Sequence, residues 1–250
     1  MNLFPAMRPI DNLEYLEVII AEGVKIIETS GHKVSEEIAL ESKKNGILMV
    51  HKCVGVRYAL KAQSIGADAV TVVGYENGGA TGILDVTTLC LVPRVVDALG
   101  VPVIGGGGVA DGRGFLALLS LGAEAVIMGT IFLLSEECPI HPRLKEALIN
   151  ATELDTMVVM RSIRNSHRVW MNEAARKVAE LEKEGAGLEE IIDIASGERG
   201  RKMYEGGDVN AGVISCGQGI GLVKKVMPMK EIVEGIIHQA DELRKKLSSI

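Results

Sequence analysis

The chain has no surplus of positive charge, no closely spaced cysteine pair and few aromatic residues. It carries 27 Lys and Arg against 33 Asp and Glu, a net charge of -6 over 250 residues. That balance argues against a general binder of nucleic acid or anionic membranes. The four cysteines, Cys53, Cys90, Cys138 and Cys216, are too far apart for a zinc knuckle or a CxxC redox pair. They read as scattered, buried, reduced thiols, which suits a cytoplasmic protein, and no metal is expected. The opening residues MNLFPAMRPIDNLEY lack a basic segment followed by an apolar one, so no signal peptide is expected. Residues 115–135 are apolar enough to suggest a membrane span. Gly122, Glu124 and Gly129 interrupt them, and they read as helix, turn and buried strand. What the chain has in excess is glycine, 29 residues against an aromatic content of 3%.

Short β-branched apolar runs recur at 24–29 (VKIIET), 47–51 (ILMVH), 69–73 (AVTVV), 101–104 (VPVI) and 125–128 (AVIM). Their continuous rather than alternating apolarity predicts strands buried on both faces, as in parallel sheets. Helical patterns separate them at 35–45, 56–65, 87–99 and 114–121, each closed by a glycine. The phrases SIGADAV and SLGAEAV repeat one arrangement of helix, glycine, acidic turn and strand. Five such units in a row favour a (β/α) barrel of the TIM type over a doubly wound sheet. The doubly wound fold also wants a GxGxxG turn after its first strand, and none stands there. Residues 1–150 are read as the barrel portion. Residues 151–250 are read as a mostly helical extension packed on it, with helices over 136–150, 168–184, 188–195 and 229–247 and a Gly-rich loop at 206–221.

In such a barrel the ligand lies at the C-terminal ends of the strands. The run at 101–104 leads into Gly105, Gly106, Gly107 and Gly108, and the run at 125–128 into Gly129 and Thr130. Bare backbone at two neighbouring strand ends suits a phosphate, although tight turns alone would also use glycine. His51 and Lys52 must point to opposite faces of their strand. Lys52 is either a ligand contact or a surface ion pair, while His51 and His32 read as satisfied structural histidines. The run at 69–73 opens into a loop containing Gly74, Gly78, Gly79 and Gly82, in which Glu76 and Asp85 are the only acids. Glu76 reads as a loop stabiliser and Asp85 as a helix N-terminal acid.

The segments HKCVGVRYALKAQSIGADAVTVVGYENGG, VPVIGGGGVADGRG, GAEAVIMGTIF and CGQGIGLV, taken in this order, resemble the nitronate monooxygenase family of flavin enzymes, to which enoyl-acyl-carrier-protein reductase II is related. The similarity runs from residue 2 to about residue 237. It implies a β/α barrel that binds FMN. The expected partners are a small-molecule substrate and, separately from the resemblance, a second copy of the chain in a homo-oligomer. By position the resemblance assigns flavin contact to Lys52, the loop against the flavin ring to Gly78 and Gly79, and the phosphate cradle to Gly106, Gly107, Gly108, Gly129 and Thr130. Gln218 matches a lid over the flavin.

Two departures accompany the matches. The family loop reads Gly-Gly-His, and that His serves as the base; here the position is Ala80, and a methyl group accepts no proton. The family's Arg after Gly-Thr is Ile131 here. In addition, Asn2, Leu3 and Phe4 correspond to the end of the family's third strand. Five clear strands plus this remnant fall short of the eight that close a barrel, so either a fragment without its first two strands, the favoured reading, or a gap filled by a partner chain is expected. The resemblance implies oxidation of a nitronate or similar activated carbon acid, with oxygen as acceptor. The alternatives are a nicotinamide-dependent flavin reductase of the enoyl reductase type and a non-catalytic flavin-binding protein. A phosphosugar barrel would need acid and base side chains at several strand ends, which are glycines here.

Overall fold

A computed structural model of the chain describes residues 2–3, 12–31 and 35–248. The first half alternates strand and helix: β1 (Asn2–Leu3), α1 (Asn12–Ala21), β2 (Ile26–Ser30), α2 (Glu36–Lys44), β3 (Leu48–Cys53), α3 (Val56–Ser64) and β4 (Ala69–Val73). A two-residue strand, β5 (Gly79–Ala80), interrupts the alternation before α4 (Thr88–Val96), β6 (Val103–Gly106), α5 (Gly112–Ser120) and β7 (Ala125–Ile127). Then follow α6 (Thr130–Leu133), α7 (Pro142–Ile149), β8 (Thr156–Val159), β9 (His167–Trp170), α8 (Glu173–Glu184), α9 (Leu188–Ala195), α10 (Gly197–Gly206), a 3-10 turn (Gln218–Leu222) and α11 (Met229–Leu247). The chain divides into two compact units. The first is Met1–Val73, Leu89–Gly106 and Leu118–Ile127, and the second is Gly74–Thr88, Gly107–Ala117 and Met128–Ile250.

The first unit holds a parallel sheet in the order β1-β2-β3-β4-β6-β7. Each new strand adds to the outside of the one before it, with no reversal of direction across the sheet. A doubly wound sheet reverses, and its ligand sits at the reversal; the uninterrupted order is that of a barrel-type α/β fold. Asn2 and Leu3 pair with Glu28 and Thr29, so the remnant read at the front of the chain is a sheet strand. Phe4 and His32 lie outside the described residues. Ile27, Met49, Val70, Val72 and Val103 are buried along the strands, as the apolar runs require.

Local chemistry sets where the helices stop. Ser35 Oγ accepts from the Ile38 amide and caps α2, whose first turn carries Glu36 and Glu37 and whose last turn carries Lys43 and Lys44. In the repeated phrases, Gly66 and Gly122 take φ of +98° and +92°, the left-handed turn that a side chain resists. The acid of the first phrase, Asp68, accepts from the Met49 amide at 2.8 Å and joins that turn to β3. Several expected boundaries move. The strand read at 101–104 lies at Val103–Gly106, so Gly105 and Gly106 belong to the sheet. The helix read at 136–150 begins only at Pro142, because proline fixes a first helical turn.

His51 is fully buried in β3, with Nδ1 2.8 Å from Thr29 Oγ1 and Nε2 3.2 Å from the Gly31 carbonyl. The carbonyl only accepts, so Nε2 carries the proton and Nδ1 accepts from the hydroxyl. Burial pushes the imidazole below its ordinary value of 6.5, against the opposing pull of the Gly31 carbonyl. The unfolded chain therefore takes up the proton first, and His51 costs stability as pH falls below about 6.5. Urea unfolding at pH 7.5 and 5.5 is expected to show a smaller acid loss in His51→Gln than in the wild type. Equal losses would mean that His51 is not a buried neutral group.

In the second unit, β5, β9 and β8 form an antiparallel sheet in that order. Two apolar clusters fill this unit. One includes Leu134, Leu144, Leu148, Ile214, Ile220 and Ile236, and the other Val159, Val169, Ala175, Val178 and Ile191. The helix read at 168–184 starts at Glu173 instead. The strand ends at Trp170, and Asn172 caps the helix, its Oδ1 accepting from the Ala175 amide at 2.9 Å. Its Nδ2 donates to the Val209 and Gly212 carbonyls at 2.7 and 2.8 Å, which pins the Gly-rich loop read at 206–221. Helices α9 and α11 match the sequence expectation. No helix among the described residues is long and apolar enough to cross a membrane.

Candidate functional site

The residues singled out in the sequence divide between the two units. Lys52 and Gly106 belong to the first, and Gly78, Gly79, Gly107, Gly108, Gly129, Thr130 and Gln218 to the second. Within the first unit, Lys52 Nζ lies 3.1 Å from Glu28 Oε1 on the adjacent strand, an ion pair with both side chains about a third exposed or less (32% and 26%). A Cβ on Gly106 would lie 2.4 Å from Ile127 Cγ2 and 3.2 Å from Val73 Cγ1. Glycine at 106 is therefore required by the sheet itself, whereas a Cβ at Gly105 would be tight but tolerable, 3.2 and 3.3 Å from Leu118 and Ala123.

In the second unit the loop Gly74–Thr88 is braced from within. Glu76 Oε2 accepts from both the amide and the hydroxyl of Thr88 at 2.8 Å. Tyr75 N donates to the Val86 carbonyl, and Asn77 Nδ2 to the Ala80 carbonyl, each at 2.8 Å. Glu76 is thus the loop stabiliser that the sequence suggested. Asp85 is not a helix acid. It sits at φ +50° and pairs with Arg161 at 2.9 Å.

The segment Cys216 to Gln218 packs backbone to backbone on this loop. A Cβ on Gly78 would lie 2.7 Å from the Gly217 amide nitrogen, and one on Gly217 would lie 2.8 Å from the Glu76 carbonyl. Gly217 N donates to Thr130 Oγ1 at 2.9 Å, and Gln218 N to the Glu76 carbonyl at 3.0 Å. The Gln218 side chain stays half-exposed. Cys216 is buried, and burial pushes its thiol up to about 12, so it is no nucleophile. Cys53 is likewise buried and pushed up to about 11, whereas Cys90 is exposed, contrary to the expectation of four buried thiols.

The second unit also offers donors without acceptors. The amides of Gly107, Gly108, Gly129 and Thr130 donate to no acceptor among the described residues. Gly107 and Gly108 take φ of +109° and +73°, left-handed backbone that favours glycine. A Cβ on Gly129 would meet nothing within 4 Å, so no packing demand explains that glycine. Uncommitted amides and the open space at Gly129 fit a phosphate group, while one face of Gly78 is taken by Gly217. The residues present therefore suit FMN.

Arg168 is a residue that no sequence pattern singled out. It lies in β9, 3% exposed, with Nε donating to the Tyr75 carbonyl and Nη1 to Thr156 Oγ1, both at 3.0 Å. Its guanidinium stacks over the Tyr75 ring, 4.4 Å from the centroid, and Nη2 is buried without a partner. One side chain thus ties β8, β9 and the loop after β4 together. Only the pairing of β5 with β9 reveals this, and a two-residue strand leaves no periodic signal. Among the described residues, no group of three or more His, Cys, Asp or Glu side chains is arranged to hold a metal.

Comparison with known proteins follows the same lines. A family model described as nitronate monooxygenase matches residues 6–239. The (3aS,4S,5R,7aS)-5-hydroxy-7a-methyl-1-oxo-octahydro-1H-indene-4-carboxyl-CoA dehydrogenase of Rhodococcus jostii (strain RHA1) is 30% identical over 261 residues, covering 90% of this chain and 73% of its own length. A probable nitronate monooxygenase of Staphylococcus aureus (strain MSSA476) is 36% identical over 152 residues, 58% of this chain but only 43% of that protein. Among solved structures, FabK from Thermotoga maritima superposes with a TM-score of 0.91 at 33% identity, covering 99% of this chain and 77% of that one. A nitroalkane oxidase from Streptomyces ansochromogenes superposes at 0.82 with 21% identity over 98% of this chain and 81% of that one, which shows the shared TIM-barrel-type α/β fold.

Proposed function

The chain belongs to the nitronate monooxygenase family, a family of oxidoreductases, and from that premise we propose that it is an FMN-dependent enzyme oxidising a nitronate or a similar activated carbon acid, with oxygen as acceptor. The observation that carries this reading is the set of uncommitted amides at Gly107, Gly108, Gly129 and Thr130, together with the open space at Gly129, in the unit that also holds the Gly78–Gly79 loop. FMN, when bound, supplies the two-electron chemistry that no side chain of this unit can supply.

The chain's own residues then have defined work. The amides of Gly107, Gly108, Gly129 and Thr130 hold the phosphate as hydrogen-bond donors. Gly78 and Gly79 let the loop lie flat against the ring. Glu76, bonded to the amide and hydroxyl of Thr88, holds that loop in its shape. A nitronate arrives already ionised, so its oxidation asks nothing of Ala80.

A second reading has its own support. The Rhodococcus relative, whose name makes it a dehydrogenase of a CoA thioester, covers most of this chain, and FabK superposes over nearly all of it. On that reading the flavin takes hydride from a nicotinamide cofactor and serves a thioester substrate. Anaerobic mixing of the FMN-loaded chain separates the two. An alkyl nitronate is expected to bleach the visible flavin band within a turnover, with NADH leaving it unchanged. Bleaching by NADH and recovery on adding an enoyl thioester would replace the first reading with the second.

A further inference from the structure

We propose that His167 is the base that takes the α-proton of a neutral carbon acid in this protein, in place of a residue on the Gly-rich loop. The proposal rests on the nitronate-type reading above and extends it to substrates that are not yet ionised. Ala80 cannot perform this step, yet it lies directly opposite His167 in the antiparallel pair of β5 and β9. The hydrogen bond from Thr81 N to the Ser166 carbonyl, at 3.1 Å, marks the neighbouring pair as the hydrogen-bonded one. Ala80 and His167 therefore form the non-hydrogen-bonded pair, in which the Cα atoms are about 4.5 Å apart and the side chains closest. Both side chains stand on the same face of the ribbon. Ala80 is exposed and His167 half-exposed, so both are open to solvent on that face.

The imidazole is set up as a base. Its Nδ1 lies 2.7 Å from the Asn165 carbonyl, which can only accept, so Nδ1 carries the hydrogen. That leaves the lone pair on Nε2, and Nε2 makes no bond among the described residues. The other ionisable groups of the loop and of β9 are committed. Glu76 accepts from Thr88, Asp85 is paired with Arg161, the Tyr75 hydroxyl is touched by Arg161, and Arg168 cannot accept a proton. His167 is the group on this ribbon with a nitrogen lone pair that no described residue engages.

In the step itself the α C–H bond of a nitroalkane breaks and the proton passes to Nε2. The electron pair forms the C=N bond of the nitronate, and the negative charge settles on the nitro oxygens. No oxidant is needed, so the step can be observed apart from electron transfer. The experiment is NMR of nitroethane in deuterated buffer with the full chain loaded with FMN, without oxygen, following loss of the α-hydrogen signal. The wild type is expected to exchange α-hydrogen, and His167→Gln to slow exchange by about 100-fold or more. The double variant with His167→Ala and Ala80→His returns the imidazole to the opposite strand and is expected to recover exchange. Melting curves by circular dichroism check that each variant is folded. Equal exchange by wild type and His167→Gln, or no exchange by the wild type, overturns the proposal. Oxidation of pre-formed ethyl nitronate is measured in parallel and is expected to survive His167→Gln. If the wild type exchanges α-hydrogen through His167 but oxidises no nitronate, the base stands and the nitronate reading falls.

Discussion

Alanine at position 107 is expected to destabilise the chain by about 4 kcal/mol, the combined scale of a strained φ and an overpacked side chain. Gly107 sits at φ +109°, where an L side chain is strained wherever there is room for it. There is no room either, because the new methyl would lie 2.5 Å from Thr88 Oγ1 and 2.9 Å from the Gly74 amide nitrogen. Gly74 cannot give way, since its own Cα is pressed against Thr88. Thr88 cannot turn away without releasing Glu76. Gly129→Ala is the contrasting case. That residue has φ -121°, which any residue adopts, and open space where Cβ would go. Its unfolding free energy in urea is expected to stay within about 0.5 kcal/mol of the wild type. Its affinity for FMN is expected to fall about tenfold or more, or about 1.4 kcal/mol. Loss of fold in the first variant and loss of ligand in the second would separate glycines kept for packing from glycines kept for approach.

Arg168→Met is expected to cost about 2–4 kcal/mol in the same unfolding measurement. Two contributions oppose each other. The substitution leaves the Tyr75 carbonyl and Thr156 hydroxyl without their donor, at about 1–3 kcal/mol each when buried. It also removes the stacking on Tyr75, worth about 1–2 kcal/mol. Against these, it removes a buried cation with an unpartnered Nη2, which is itself costly. The losses win because they involve three groups and the gain one. Arg168→Lys is expected to recover little, because an ammonium cannot donate along two fixed directions and stack at once. A variant as stable as the wild type would show that the clamp on Tyr75 contributes nothing.

The parallel strands were legible because burial on both faces writes itself into a sequence as short apolar runs. The strand read at 69–73 and the helices read at 188–195 and 229–247 lie where the residues placed them. Boundaries failed where one residue overruled the pattern. What looked like continuous helix is a strand ending at Trp170, followed by the Asn172 cap. Pro142 delays α7. The glycine excess was legible as a count but mixed in cause. Gly106 is demanded by Ile127 of the neighbouring strand and Gly105 is crowded by helix and turn side chains, while Gly129 is not demanded by any described residue. That distinction needs coordinates, because a glycine beside a packed methyl and a glycine beside a ligand read alike. His167 and Arg168 were invisible for a related reason. Their meaning depends on a two-residue strand pairing across 87 positions of chain, from Ala80 to His167.

The central claim is that the Gly107, Gly108, Gly129 and Thr130 amides hold a flavin phosphate. The most direct test is titration of the purified chain with FMN, followed by gel filtration and visible absorbance. A flavin band that travels with the protein at one FMN per chain, displaced from the spectrum of free FMN and weakened in Gly129→Ala, is the predicted result. A colourless protein peak, with all FMN eluting free, would contradict it.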